Sequence, residues 1–393
     1  MSKFLKVMIV LLTIAAVAAP AFAEDRLGLS GEMRVRGWLL DDGTDSKTYA
    51  DQRLRIGGKF SIAEGVSVTF RTDVTERTWG AGGSEFGSGR MPQDGQQWDR
   101  AHMDLTMGNF HVRAGQQYVG YGLLAGTINS QDAGFSVSMK GPVAVSAFWL
   151  LDDQRGGTST ADSYLSAVNV SHKTDAYAAN VFVGNQTKAL TGQENVYLIG
   201  VNTTMNLAAI KLAAEFDYFT GDYTNNVDAF GAQLFLDASM AAGDAATVGA
   251  QLYYALAADD DGSEVQYQNL GNDFNGWDPI VDVGTNLSNE QINVVARPFD
   301  FTGDNAGLIG LRGYGNFKAG DALILGASLA YLLPEDDGMT NIDDAIVFAA
   351  GAVYKVMANT SLHAQFQYET TSVDQGSDPD DEYQAGMGLY VNF

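Results

Sequence analysis

The residues most able to do physical work in this chain are its arginines. Once Lys3 and Lys6 of the leader are set aside, residues 26 to 113 carry 12 of the 21 remaining basic side chains, where an even spread would put about five. Nine of them share one face of alternating segments: Arg34, Arg36, Arg53, Arg55, Lys59, Arg71, Arg77, Arg100 and Arg113. The opposite parity reads Leu54, Ile56, Phe60, then Val66, Val68, Phe70, then Met103, Leu105, then Phe110, Val112. A row of guanidiniums makes and breaks no bonds. It holds a fixed positive potential that orients polar solutes and concentrates anions, as rings of charge do in pores. Glu32, Asp73, Asp104 and Asp132 are the acids expected to face it. Neutralisation of the row by these acids and by loop carboxylates is the competing structural reading.

Other chemistry is poorly represented. Asp259-Asp260-Asp261, Glu335-Asp336-Asp337, Asp343-Asp344 and the run from Asp378 to Glu382 suit hard divalent cations. None has the spacing of a helix-loop-helix calcium site, so solvated loop charge is expected, bridged by divalents to anionic lipopolysaccharide. His102, His111, His172 and His363 lie far apart in sequence, and no phosphate-cradling glycine loop or nucleophilic serine motif is present. No catalytic residue, cofactor or metal site is expected. With no Cys, no disulfide framework or thiolate metal site can form. The net charge of −25, with 48 acidic side chains, argues against a nucleic-acid partner.

The elements that must position this basic row are strands. Residues 1–23 combine Lys3 and Lys6, an apolar stretch from Val7 to Ala19, and Ala21-Phe22-Ala23, the pattern of a cleaved secretory signal. Residues 24–393 then form a single domain. Beyond the signal no apolar run is long enough for a membrane helix, but alternation recurs in runs of about ten residues, enough to cross a tilted barrel wall. In the last segment Tyr383, Ala385, Met387, Leu389, Val391 and Phe393 share one face. Aromatics ten positions apart lie about 33 Å apart along a strand, or roughly 23 Å across a membrane at 45° tilt.

Eighteen strands are expected, near 28–39, 51–62, 66–77, 98–107, 110–118, 133–140, 143–151, 164–172, 176–185, 195–204, 207–219, 227–238, 246–257, 306–317, 322–332, 345–354, 360–369 and 382–393. Sixteen is the alternative if one hairpin merges. Short connections such as Ala63-Glu64-Gly65, Gly108-Asn109 and Gly141-Pro142 alternate with long ones near 78–97, 119–132, 152–163, 258–305, 333–344 and 370–381. A soluble sandwich has no reason to sort its connections in this way. An all-β, antiparallel up-and-down transmembrane barrel does, with short periplasmic turns, long extracellular loops and both termini on the short-turn side.

The signal, the amphipathic strands, the acidic loops and the ending Gly388-Leu389-Tyr390-Val391-Asn392-Phe393 together resemble the Gram-negative outer-membrane porins. The resemblance implies residence in the outer membrane among lipid and lipopolysaccharide, passive passage of small hydrophilic solutes, and assembly as a homotrimer. It also implies that Tyr383, Leu389, Val391 and Phe393 form the C-terminal signature read by the barrel-assembly machinery. An external loop folding into the barrel is implied as well, and 119–132 is the candidate, although 78–97 or 258–305 could fill the lumen instead. Three functions follow: a general diffusion porin biased toward anions by the basic row, a substrate-selective channel lined by aromatics such as Tyr118, Tyr121, Tyr253 and Tyr314, or an adhesin, antigen or enzyme carried on a barrel.

Overall fold

The computed structural model describes residues 26–41, 43–79, 97–124, 127–153, 162–188, 194–224, 226–271, 277 and 305–393. The signal segment lies outside them. The chain runs β1 (Leu27–Asp41), β2 (Ser46–Ala63), β3 (Val66–Thr78), β4 (Gln97–Met107), β5 (Phe110–Gln116), β6 (Val119–Tyr121), β7 (Ile128–Ser130) and β8 (Ala133–Met139). It continues with β9 (Val143–Asp153), β10 (Ser163–Lys173), β11 (Tyr177–Lys188), β12 (Glu194–Leu207), β13 (Ile210–Thr224), β14 (Val227–Ala241) and β15 (Ala246–Ala255). Then come β16 (Glu264–Gln266), β17 (Leu270–Gly271), β18 (Leu308–Lys318), β19 (Leu323–Leu333), β20 (Ile342–Met357), β21 (Thr360–Val373) and β22 (Glu382–Asn392).

Eighteen of these are long and antiparallel, each paired with its neighbours in chain order, and β1 pairs with both β2 and β22. That last pairing closes the sheet into a barrel, so none of these eighteen strands is left with an edge, the condition for a sheet to lie in hydrocarbon. No helix among the described residues is long and apolar enough to cross a membrane. Large apolar side chains instead point outward: Leu29, Met103, Phe135, Ile199, Phe216, Leu329 and Met387 are all exposed. Exposed aromatics gather toward both ends of the strands. Trp98, Trp149, Tyr197 and Tyr331 lie on the long-loop side, and Phe110, Tyr177, Phe317 and Tyr354 on the short-turn side. This is the apolar belt with two aromatic girdles expected of a transmembrane barrel.

All eighteen expected strands occur, and the differences fall mainly at their ends. On the long-loop side β2 begins at Ser46 rather than 51, β20 at Ile342 rather than 345, and β21 runs to Val373 rather than 369. These extensions carry polar residues on both faces, so they pair as strand without the alternation that lipid imposes. The β12–β13 turn falls at Ala208-Ala209 rather than at 205–206, because Ala208 takes the left-handed conformation (φ 55°) while Asn206 stays in the ladder.

The seam is finished by the last residue. The Phe393 amide donates to the Gly31 carbonyl at 2.9 Å, the Gly31 amide donates back at 2.6 Å, and the Phe393 ring lies over Gly31, where a β-carbon would collide with it. We expect Phe393→Ala and Gly31→Leu each to lower the yield of closed barrel, read as the heat-modifiable band on unboiled gels. Unchanged yield from both would mean that the ring over Gly31 does not contribute to closure.

Candidate functional site

The wall formed by β1 to β5 carries the basic row, and pairing register shows how it is built. Arg34 stands opposite Arg53 and Arg71 opposite Arg100, so like charges face each other across two strand pairs. Carboxylates between them relieve the repulsion. Glu76 accepts from Arg34 at 2.7 Å and from Arg53 at 3.4 Å, and Glu32 accepts from Arg53 at 2.8 Å. Asp51 holds Arg36 and the Trp38 indole, each at 2.8 Å. Asp73 takes Arg55 through two bonds, at 2.6 and 3.3 Å. Asp99 accepts from Arg71 and lies 3.4 Å from Arg100. Asp104 holds Arg113 at 2.8 Å, His111 at 2.9 Å and His102 at 3.1 Å. Seven arginines thus interleave with six carboxylates, leaving one formal positive charge when the histidines are neutral.

Burial splits this row in two. The side chains of Arg34, Arg36 and Arg53 are 3, 2 and 7 % exposed, whereas those of Arg71, Arg100 and Arg113 are 30, 36 and 32 % exposed. The first three are locked in a packed network; the last three reach open space from adjacent strands. Lys59 is exposed and pairs with no described carboxylate.

Two β-bulges correct the parity reading. In β3 the ladder skips Val74, so Asp73 faces Arg55 but Thr75 faces Leu54 and Glu76 faces Arg53. Arg77 therefore stands opposite Gln52, on the outward parity of Leu54 and Ile56, and does not belong to the inner row. An inserted residue exchanges the two faces of the strand beyond it. In β4 the ladder skips Asp99 between Trp98 and Arg100, which turns that acid onto Arg71. Sequence reasoning missed Asp51, Glu76 and Asp99. Asp51 was available, since it shares the parity of Arg53; the other two depend on the bulges. Asp132 lies at the base of the loop that follows β5, where it accepts from Ser130 and its carbonyl accepts from Gln117.

The opposite wall is lined by chain that folds inward. The described residues 117–124 and 127–132 carry the β6–β7 hairpin inside the barrel, and β17 adds to it in parallel, Leu270 against Ile128. Ile128 and Leu270 pack on Phe148, Phe182, Leu198 and Phe219 from the lumen face of β9 to β13. Gly184 makes this approach possible, because a side chain there would occupy the space of both the Ile128 and the Leu270 tips. Polar contacts fix the hairpin. Buried Glu215 of β13 accepts from the Leu123 amide at 2.5 Å, the Thr127 hydroxyl at 2.6 Å and Asn202 at 2.9 Å. Its neighbour Asp217 accepts from Gln233 at 2.9 Å. Tyr121 donates to Ser146 at 2.9 Å. Farther round, β16 pairs in parallel with β14, and Trp277 stacks on Tyr253 at 5.1 Å with 9° between the rings. The described parts of both 117–132 and 258–305 therefore enter the lumen, while 80–96 lies outside the described residues. Outside the spanning strands, burial and the neighbouring Glu194 carboxylate push the Tyr267 phenol above its usual range. Among the described residues no cluster of three metal-ligating side chains occurs.

No protein-family model matches the sequence, and no curated protein matches it. Solved structures do. OccK9 (OpdG) of Pseudomonas aeruginosa superposes with a TM-score of 0.63 at 12 % identity, covering 95 % of this chain and 100 % of that one. OccK2 (OpdF) of the same organism, solved in complex with glucuronate, gives 0.60 at 9 % identity, covering 94 % and 98 %. An anion-selective porin from Comamonas acidovorans gives 0.50 at 12 %, covering 93 % and 99 %. At these identities the likeness is one of fold: the chain is an 18-stranded outer-membrane β-barrel.

Glu215 is the anchor that can be tested. A hydrogen bond to a charged group contributes about 1.5–3 kcal/mol, and Glu215→Ala removes four acceptor contacts, the fourth being the Leu124 amide at 3.4 Å. The variant should retain the closed barrel on unboiled gels and give a larger, noisier single-channel conductance in planar bilayers as the hairpin leaves the wall. Conductance and noise equal to those of the parent would assign the anchoring elsewhere.

Proposed function

We propose that this barrel is a passive outer-membrane channel for small hydrophilic solutes, biased toward anions such as carboxylates, and that it works without making or breaking bonds. The observation that carries this reading is the half of the basic row that stays accessible. Arg71, Arg100 and Arg113, on three neighbouring strands, face a lumen whose other wall is covered by the infolded hairpin. A solute squeezed between them passes guanidiniums whose donors are only partly used by Asp99 and Asp104. Planar, multidentate donors of this kind suit carboxylates. The glucuronate bound to OccK2 and the anion selectivity of the Comamonas porin agree with the proposal without extending it.

Two segments entering the lumen favour a substrate-selective channel over a general diffusion pore. A path narrowed by a hairpin at Glu215 and by a second segment at Tyr253 brings solute and wall into contact. Saturable block of current by one carboxylate then separates the two.

The split in burial gives a sharper test. Neutralising Arg71, Arg100 and Arg113 together to Gln should move the reversal potential in a salt gradient toward cation preference and leave denaturant unfolding nearly unchanged. Arg36→Gln should do the reverse. It leaves Asp51 without its cationic partner inside a packed network, costs roughly 3–5 kcal/mol of stability as broken buried ion pairs do, and leaves selectivity where it was. If the triple variant keeps its reversal potential, the row is structural throughout.

A further inference from the structure

Fixed charge in this barrel is sorted along its axis as well as around its wall. Eight lysines follow residue 23, and six of them lie within four residues of a short turn: Lys59 of β2, Lys140 just after β8, Lys173 of β10, Lys211 of β13, Lys318 of β18 and Lys355 of β20. All six are exposed. We propose that these lysines form a positive entry ring that makes the short-turn mouth the anion-selective end of the channel. The ring presupposes the passive, anion-biased channel proposed above and gives it a direction.

Strand parity places the six on the lumen side. Lys59 shares its face with buried Arg53, Lys173 with Leu165 and Ala167, Lys211 with Glu215 and Asp217, Lys318 with Arg312, and Lys355 with Val347 and Ala349. The ladders between these residues run without a shift. Lys140 follows Phe135, Val137 and Met139, the exposed outward set of β8, and takes the opposite parity. The neighbours across the parity divide, Met139, Ile210, Phe317 and Tyr354, are exposed apolar side chains of the lipid face. Lysines set to meet lipid headgroups belong on that second face, so the ring serves the lumen.

The charge balance at this mouth is positive. Arg26 precedes β1 at the same end, and the described short turns carry Glu64, Asp175, Asp244 and Asp321, so seven cations meet four acids there. Asp104 is near this end too, but Arg113 already holds it at 2.8 Å. Among the described residues none of the six lysines is in a salt bridge, whereas Lys188, toward the long loops, lies 3.6 Å from Glu194. The long-loop mouth has the reverse character: Asp259-Asp260-Asp261, Asp378, Asp380 and Asp381 are exposed there. Exposed charges act over a Debye length, about 10 Å in 0.1 M salt and about 3 Å in 1 M. The mouth that meets the dilute solution therefore dominates selectivity. Anions are favoured when that mouth holds the lysines, and cations gain when it holds the acidic loops.

Reversal potentials of single channels in planar bilayers, taken with about 0.1 M KCl against about 1 M and then with the gradient reversed, test this. The chain has no Cys, so a biotinylated Asn109→Cys in the β4–β5 turn reports orientation through streptavidin added to one chamber. The chloride-to-potassium permeability ratio should be at least about twofold higher with the dilute solution at the short turns. Changing all six lysines to Gln should abolish that difference. Unboiled-gel mobility checks closure, and if the sixfold variant does not close, Lys173→Gln, Lys211→Gln and Lys355→Gln together replace it and should reduce the difference. Equal ratios in both directions, a higher ratio with the dilute solution at the long loops, or a difference that survives the lysine substitutions would each overturn the ring. A lysine-dependent difference without net anion preference in either direction would uphold the ring and retire instead the anion bias assigned to Arg71, Arg100 and Arg113.

Discussion

The pairing of β1 with β22 is the constraint on which everything else in this molecule depends. In hydrocarbon an unpaired backbone N–H or C=O costs several kcal/mol, so a spanning sheet cannot stop at an edge. Closure removes both edges at once. It also divides every strand into two faces that meet different solvents, and the sequence alternates for that reason. The same closure puts β1 and β22 side by side, so Phe393 reaches Gly31 and these two strands seal each other. An even number of strands then places the start of β1 and the end of β22 on the side with the short turns and frees the other side to carry long connections.

Those long connections hold much of the specific structure, because a closed wall of eighteen strands encloses more space than its own side chains fill. The barrel fills part of it with its own chain. Inserting a hairpin into a lumen exposes new backbone groups, and they must be satisfied there. Here the wall supplies carboxylates and amides to do so: Glu215 takes the Leu123 amide and Gln186 takes the Gly271 amide. The apolar patch under Ile128 and Leu270 is therefore a small protein core placed inside a membrane barrel. Its presence on one side leaves the charged wall opposite as the surface that a solute meets.

How much of this was legible follows from what each solvent enforces. Lipid enforces parity, so the eighteen strands, the inward arginines of β1 and β2 and the outward Met387 and Leu389 could be read from the letters alone. Lipid stops at the membrane surface, and there the reading of strand ends failed at Ser46, Ile342 and Val373. Parity also assumes an unbroken ladder. The bulges at Val74 and Asp99 break it, and these two residues account for the misplaced Arg77 and for the missed partners Glu76 and Asp99. No local pattern announces either bulge. Glu215 and Asp217 sit in β13, a strand that was correctly expected. Their partners Leu123 and Thr127 lie some ninety residues earlier in the chain, a pairing that no period in the sequence encodes.

The interleaving of arginine and carboxylate resolves what first looks like a contradiction, a basic wall in an acidic protein. Seven unpaired guanidiniums on neighbouring strands would repel one another and destabilise the wall that holds them. Seven fully neutralised ones would have no hold on a solute. The arrangement meets both demands by position. Toward the long loops, Arg34, Arg36 and Arg53 are packed against Glu76, Asp51 and Glu32, where losing water is tolerable only because each charge is matched. Farther round the wall, Arg71 and Arg100 share a single carboxylate, and Arg113 shares Asp104 with two histidines. Their partial exposure keeps them hydrated enough to avoid the full desolvation cost and leaves donor capacity facing the lumen. In the proposed anion-biased channel, sharing acids among cations, rather than adding cations, is what would give this wall a usable positive field.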